Sequence, residues 1–436
     1  MFVDPGLLPA AILVTVTIVL WATARLPEYL VALLFFAAAA ILHVASVDVI
    51  FSGFASAAFW LVLSGFVLGL AIRKVGLADR MAGTLATRLN GSWPRMVGGV
   101  ILLTYGLAFV MPSNMGRIAL LMPIVMALAD RAGLTEGSRG RIGLALAVGM
   151  GTYQLSASIL PANVPNLVMA GAAEQAYGVH FAYLSYLWLH TPVLAILKGL
   201  VLLATICLMF PARPQAIVAA TARTPLTRAE KRLSVLLVIT LLLWMTDTWH
   251  GISPAWVGLA AACVCLLPRV GFLNGDEFAA GVNVRTCLYV AAILGLAALV
   301  TASGLGHAIG RWLLPLLPLD PAQPLRSFYA LVGLTGVLNF VVTANGVPAL
   351  YTPLAQALAD GSGLPLLTVL MIQVIGYATP VLPYQAAPFV VAMGMGKVPP
   401  RAGLMLCLAV AVITFAILVP LDYAWFRLLG WIPASP

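Results

Sequence analysis

Phe109-Val110-Met111-Pro112-Ser113-Asn114 leads to Pro123-x-x-x-Ala127-Leu128-Ala129-Asp130, and about 230 residues later Phe340-Val341-Val342-Thr343-Ala344-Asn345 leads to Pro353-x-x-x-Ala357-Leu358-Ala359-Asp360. One peptide written twice marks an internal duplication. Each copy sets a polar Asn tip inside an apolar stretch, and such backbone is tolerated in a bilayer only where protein shields it or it lines a water-filled cavity. Paired interruptions of this kind are how secondary transporters build substrate sites.

The rest of the chain has the composition of an integral membrane protein. Of its 436 residues 62% are hydrophobic and 8% charged, with a mean hydropathy of +1.05, where a soluble domain carries about 25% charged residues. Apolar runs long enough to cross a bilayer fall at 6–24, 29–47, 54–72, 142–172, 186–210, 233–249, 252–268, 286–304, 366–394 and 403–421. Two more, 96–130 and 327–360, bend around the Asn tips and read as re-entrant hairpins. The first run follows Asp4 rather than a basic leader, so it reads as a span and not a secretory signal. The five cysteines (Cys207, Cys263, Cys265, Cys287, Cys407) match neither a disulfide framework nor a zinc site and read as small buried hydrophobes.

Three spans, a hairpin and two further spans per half give an odd number of crossings, which inverts the second half relative to the first. With the N-terminus outside, the loops at 25–28, 73–95, 131–141, 211–232, 269–285 and 395–402 are cytoplasmic and hold 18 of the 23 Lys and Arg. The positive-inside rule therefore supports ten spans with both termini outside, in a bacterial inner membrane. It also accounts for the net charge of +9 without any nucleic-acid partner.

The expected fold is all-α and polytopic, with two inverted repeats. Residues 1–210 form the first repeat, 211–232 a cytoplasmic linker and 233–436 the second repeat. Trp21-Ala22-Thr23 is echoed by Trp244-Met245-Thr246, and Val67-Leu68-Gly69-Leu70-Ala71 by Ile293-Leu294-Gly295-Leu296-Ala297. After each hairpin comes a span broken near its middle. Pro161 and Pro165 interrupt 142–172, and Pro380, Pro383 and Pro388 interrupt 366–394, because proline lacks an amide donor and collides with the preceding turn.

The polar residues of these four segments are the candidate ligands. Asn114, Asn345, Ser113, Thr343, Ser158, Asn163, Tyr384 and Gln385 are expected to bind a small anion, and Ser113, Asn114, Ser156, Thr343 and Asn345 are the candidates for holding a cation. Helix N-termini aimed at the tips would add positive potential. Arg117, three residues after the first tip, is costly at that depth. It either holds the anion, supplies fixed charge where relatives bind a cation, or pairs with a backbone carbonyl. The fourteen acids sit in loops or near the ends of apolar segments, which argues against a cation/proton exchanger built on a buried Asp pair. No Ser/His, paired Asp or His-Glu-x-x-His arrangement supports a membrane enzyme.

Trp21-Ala22-Thr23-Ala24-Arg25-Leu26-Pro27, Phe59-Trp60-Leu61-Val62-Leu63-Ser64-Gly65-Phe66 and Gly76-Leu77-Ala78-Asp79-Arg80, together with the two tips, resemble the divalent anion:sodium symporter family, which includes the dicarboxylate, citrate and sulfate cotransporters. The resemblance covers nearly the whole chain. It implies a homodimer, a scaffold and a moving transport domain, elevator-type alternating access, and tip asparagines that meet both substrate carboxylate and sodium. The family's duplicated Ser-Asn-Thr reads Ser113-Asn114-Met115 and Ala344-Asn345-Gly346 here. Its Gly-Thr-Pro-Pro-Asn stretch appears as Ala162-Asn163-Val164-Pro165-Asn166, and the second-half counterpart as Gln385-Ala386-Ala387-Pro388-Phe389. The expected function is secondary transport of a small anion such as a di- or tricarboxylate or sulfate. No prosthetic group is expected, and Na+ or H+ are the coupling ions to test. A cation/proton exchanger of the wider superfamily and an anion exchanger or uniporter without sodium are the alternatives.

Overall fold

The computed structural model describes residues 7–23, 25–77, 80, 92–111, 113–215 and 225–433; Pro112 of the first tip, Ala78, Asp79 and linker residues 216–224 lie outside them. Every regular element among the described residues is helical. The longer helices are α1 (Leu8–Thr23), α2 (Glu28–Ile41), α3 (Ala57–Val75), α4 (Trp93–Ala108), α5 (Asn114–Arg131), α6 (Arg139–Met150), α7 (Val164–Tyr177), α8 (Tyr183–Met209) and α9 (Arg228–Met245). They continue as α10 (Pro254–Leu266), α11 (Val284–Ala302), α12 (Leu305–Leu313), α13 (Pro324–Val341), α14 (Val347–Ser362), α15 (Leu366–Tyr377), α16 (Ala387–Met395) and α17 (Pro400–Leu428).

Local chemistry explains where these helices start and stop. The Ser56 hydroxyl caps α3 by accepting from Phe59 N, and Gly76 ends it at φ +79° behind Arg73 and Lys74, which complement the carbonyl end of the dipole. Thr227 and Glu230 close a reciprocal capping box at the start of α9. Gly53 and Gly295 let the segment 47–55 and α11 touch, since a Cβ on either would strike a backbone carbonyl, that of Ala291 or of Ile50. Such close approach through small residues is the usual contact between membrane helices.

Both expected breaks are present. α6 runs through a π turn at Gly151–Leu155 and short 3-10 turns at Ser156–Ser158 and Leu160–Ala162 before α7 begins. α15 ends at Tyr377, and a 3-10 turn at Pro383–Gln385 precedes α16. The two breaks face each other: Tyr153 Oη donates to Tyr377 O at 2.6 Å, and Tyr377 Oη donates to Asn166 Oδ1 at 2.8 Å.

Helix lengths differ from the apolar runs. α3, α8, α11, α13 and α17 are long and apolar enough to cross a bilayer, and α14 with α15 form one bent pair at 117°. α1, α2 and α10 are apolar but shorter. α13, expected as half of a re-entrant loop, has crossing length by itself, because nothing in the composition of 327–341 shows how far its axis extends before Asn345 turns the chain. Large apolar side chains including Trp249, Leu208, Leu428 and Val412 lie exposed on the outer faces of the helices, as a lipid-facing surface requires.

The loops assigned to one side of the membrane meet. Lys74 pairs with Glu277 at 2.5 Å, Arg80 with Glu230 at 2.6 Å, Lys397 with Glu136 at 2.8 Å, and Arg141 with Asp130. The Arg80 guanidinium and the Thr227 amide hold the Glu230 carboxyl down at about 2, and Lys397 and Lys74 lower those of Glu136 and Glu277. A depressed carboxyl contributes stability above its ordinary pKa of 4.5 and loses it as pH falls through the folded value. The melting temperature in detergent should therefore drop as pH falls from 4.5 toward 2, and Glu230→Gln should flatten that drop while lowering the melting temperature at pH 6.

Candidate functional site

The first tip is built by Ser113, whose hydroxyl accepts from Gly116 N at 3.1 Å and caps α5. Asn114, the first residue of that helix, is buried and fully engaged. Its Nδ2 donates to Asn163 Oδ1 at 2.9 Å, and its Oδ1 accepts from Ser156 Oγ at 3.1 Å and from Arg117 Nη2. The second tip is held by backbone: Ala344 N donates to Gln385 O at 2.9 Å, and Gly346 N to Thr343 O at 2.8 Å. Asn345 is half-buried, and its carboxamide has no hydrogen-bond partner among the described residues.

Between the tips lies a cavity of about 90 Å3 lined by Ser113, Asn114, Met115, Asn163, Val164, Asn345, Ala387 and Pro388, with Val62, Gly65, Phe66, Leu167, Glu28, Thr286 and Tyr289 on the opposite walls. Four helix N-termini converge on it. Asn114 and Met115 open α5, Asn163 caps α7, Asn345 precedes α14, and Ala387 and Pro388 open α16. Each free N-terminal turn favours an anion by about 0.3–1 kcal/mol. The size admits a small ligand and excludes drug-sized ones, whose pockets start at roughly 300 Å3. A larger cleft of about 640 Å3 beside Glu174, His180, Asp247 and Trp256 contains neither tip nor any residue of the second break, so the tip cavity is the candidate site.

Of the expected ligands, Ser113, Asn114, Asn163 and Asn345 come together here. Thr343 is half-buried and stands one step back from the cavity. Ser158, Tyr384 and Gln385 do not line the cavity either, and Ser156 is spent on Asn114. Ser158 Oγ donates to Leu155 O at 2.8 Å and lies 3.2 Å from Tyr105 Oη. Tyr384 is half exposed and donates to Phe340 O at 3.2 Å. Gln385 Oε1 accepts from Val381 N and Leu382 N at 2.7 and 2.9 Å, which makes it a scaffold for the second break.

Arg117 is wholly buried behind the first tip. Its Nη1 donates to Met111 O and its Nη2 to Asn114 Oδ1, to Thr152 O at 3.3 Å and to Ala162 O at 3.2 Å. Every donor it uses goes to the tip or the first break, so it fixes those oxygens and does not reach into the cavity. A convergent set of carbonyl and amide oxygens is what a hard cation coordinates; here the guanidinium fills it.

Sequence reasoning missed Glu28, Thr286 and Tyr289. They lie near the starts of regular helices, Glu28 directly after Pro27 and Thr286 after Asn283 and Arg285, where polar residues read as ordinary helix openings. An acid opening an apolar run was the only available sign for Glu28.

The description "Sodium:sulfate symporter transmembrane region" matches residues 7–432. A membrane protein of Cupriavidus necator is 23% identical over 87% of this chain and 77% of its own. The L-tartrate/succinate antiporter of Escherichia coli is 25% identical over 80% and 74%. The putative malate transporter YflS of Bacillus subtilis is 24% identical over 58% and 56%. Among solved structures, the YdaH transporter of Alcanivorax borkumensis has the same general fold, with a TM-score of 0.57 at 15% identity over 88% of this chain and 87% of that one. MtrF of Neisseria gonorrhoeae gives 0.55 at 15% over 86% and 83%. With the match running through both tips and both breaks, the chain belongs to the sodium:sulfate symporter family of anion transporters, the divalent anion:sodium symporters.

Proposed function

We propose that the protein is a secondary transporter of small dicarboxylates that binds its anion in the tip cavity and needs no sodium at the first tip. The observation that carries the anion reading is the convergence of four helix N-termini on one small cavity, beside an Asn345 carboxamide free to donate. Asn345 and the tip amides hold a carboxylate, Asn114 and Asn163 shape the wall, and Thr286 and Tyr289 close the opposite side. Relatives named for tartrate, succinate and malate support the dicarboxylate class, and one of them is named an antiporter. This lining of amides and hydroxyls, with the Glu28 carboxyl on the far wall, suits binding and release rather than bond cleavage. Arg117 supports sodium independence, because its guanidinium already occupies the oxygens of Asn114, Thr152 and Ala162. Elevator-type alternation of the tip-bearing unit, and assembly as a homodimer, belong to the same proposal by family resemblance.

Proteoliposomes loaded with unlabelled succinate, or left empty, separate the readings. Labelled succinate, tartrate or malate should enter, faster into loaded vesicles, and replacing external sodium with choline should leave the rate unchanged. Strict dependence on sodium would overturn the role given to Arg117. Sodium or proton flux with no organic anion would favour a cation exchanger.

A further inference from the structure

A second basic residue is buried at the second break. Lys198, on α8, is fully inaccessible, and its Nζ donates to Ala378 O at 2.9 Å and to Thr379 Oγ1 at 2.7 Å. These are the residues on which α15 gives out. Both partners are neutral oxygens, and among the described residues no carboxylate comes within 4.0 Å of Nζ. Asp422 on α17 is also buried, with its Oδ1 unpartnered among the described residues, one turn before Phe426, whose ring packs against His190 of α8. A permanent ion pair would be in contact. Two opposite charges buried in one seam without touching are each left with much of their desolvation cost.

The remaining titratable groups of the seam are few. His190 lies two turns before Lys198 on α8, with both ring nitrogens unpartnered and its ring against Tyr186 and Phe426. Tyr153 and Tyr377 donate to Tyr377 O and Asn166 Oδ1, and Cys407 lies beside Tyr153. Tyr105 of α4 is turned to Ser158 and Thr191. None of these supplies a fixed countercharge to Lys198.

The seam is wired to the anion cavity. Ala378 and Thr379 begin the break; Val381 and Leu382 donate to Gln385 Oε1, Gln385 O accepts from Ala344 of the second tip, and Ala387 and Pro388 line the cavity. A change of charge on Lys198 therefore bears directly on the segment that holds the second tip. We propose that Lys198 and Asp422 form a proton-binding site built into the second break, which takes up and releases one proton per transport cycle. Water on one side of the membrane gives the proton to the Lys198 amine or the Asp422 carboxylate when the break opens to it, and the same N–H or O–H bond is broken to water on the other side. The inference rests on the chain being an anion transporter, but not on which anion it carries.

The test uses the full chain in proteoliposomes holding a pH-sensitive dye, with labelled succinate as probe. In the wild type an imposed pH gradient should drive accumulation, and adding succinate should move protons. Asp422→Asn and Lys198→Met should lose gradient-driven accumulation and the dye signal while still exchanging internal for external succinate. A residue that only braced the helices would lose both activities or neither. Wild-type uptake indifferent to the gradient, or variants that keep the wild-type gradient response, would overturn the proposal. Should neither variant be recovered folded, the wild-type dye signal decides alone. Uptake with no proton movement overturns this site and leaves the transport reading standing; no uptake of succinate, tartrate or malate under any gradient overturns the transport reading itself.

Discussion

Arg117→Ala is expected to abolish uptake and to destabilise the detergent-solubilised protein by about 1–3 kcal/mol, the cost of leaving buried hydrogen-bond acceptors without their donor. Met111 O, Thr152 O and Ala162 O lose their charged donor, and Asn114 Oδ1 keeps only Ser156 Oγ. The first tip and the first break would then be held together by the two side-chain bonds of Asn114, to Asn163 Oδ1 and from Ser156 Oγ. Arg117→Lys should fall between, since an ammonium cannot span the fork of oxygens that the planar guanidinium reaches. Melting temperatures with sodium and with choline give a sharper check. If the guanidinium stands in for a cation, sodium should partly restore Arg117→Ala and leave the wild type unmoved. A variant as stable and active as the wild type would sink the assignment.

The second large effect separates the two asparagines that look alike in sequence. Asn345→Ala should cut succinate uptake by about 10- to 100-fold with little change in melting temperature, because a hydrogen bond to a charged group contributes about 1.5–3 kcal/mol and this carboxamide bonds nothing among the described residues. Asn114→Ala should reduce both uptake and stability, since its amide joins Asn163, Ser156 and Arg117. Uptake kinetics beside thermal unfolding of each variant measure the split. Equal effects on both readouts at both tips would contradict it.

The duplicated peptides and the prolines were enough to place both tips and both breaks, because a polar or proline-bearing interruption in an apolar run has few physical solutions in a bilayer. Hydropathy placed most of the helices, although α17 runs on to Leu428, so the apolar run stops just short of the buried Asp422. Ser158, Tyr384 and Gln385 were polar for a nearer reason. They satisfy backbone freed by the breaks, a task indistinguishable in sequence from binding a ligand. Lys198 was visible as a basic residue in an apolar run, but its partners are 180 residues away.

By itself, then, the amino-acid sequence determined the class of molecule and the four interrupted segments, which follow from local composition and the cost of unpaired backbone in lipid. Tertiary structure decided which polar groups face the anion and which are consumed within the protein. That choice depends on contacts between segments far apart in the chain: Asn114 against Asn163, Lys198 against Ala378, Asn345 opposite Tyr289. Two asparagines of one repeated motif thus receive different tasks, because only the first has a guanidinium behind it.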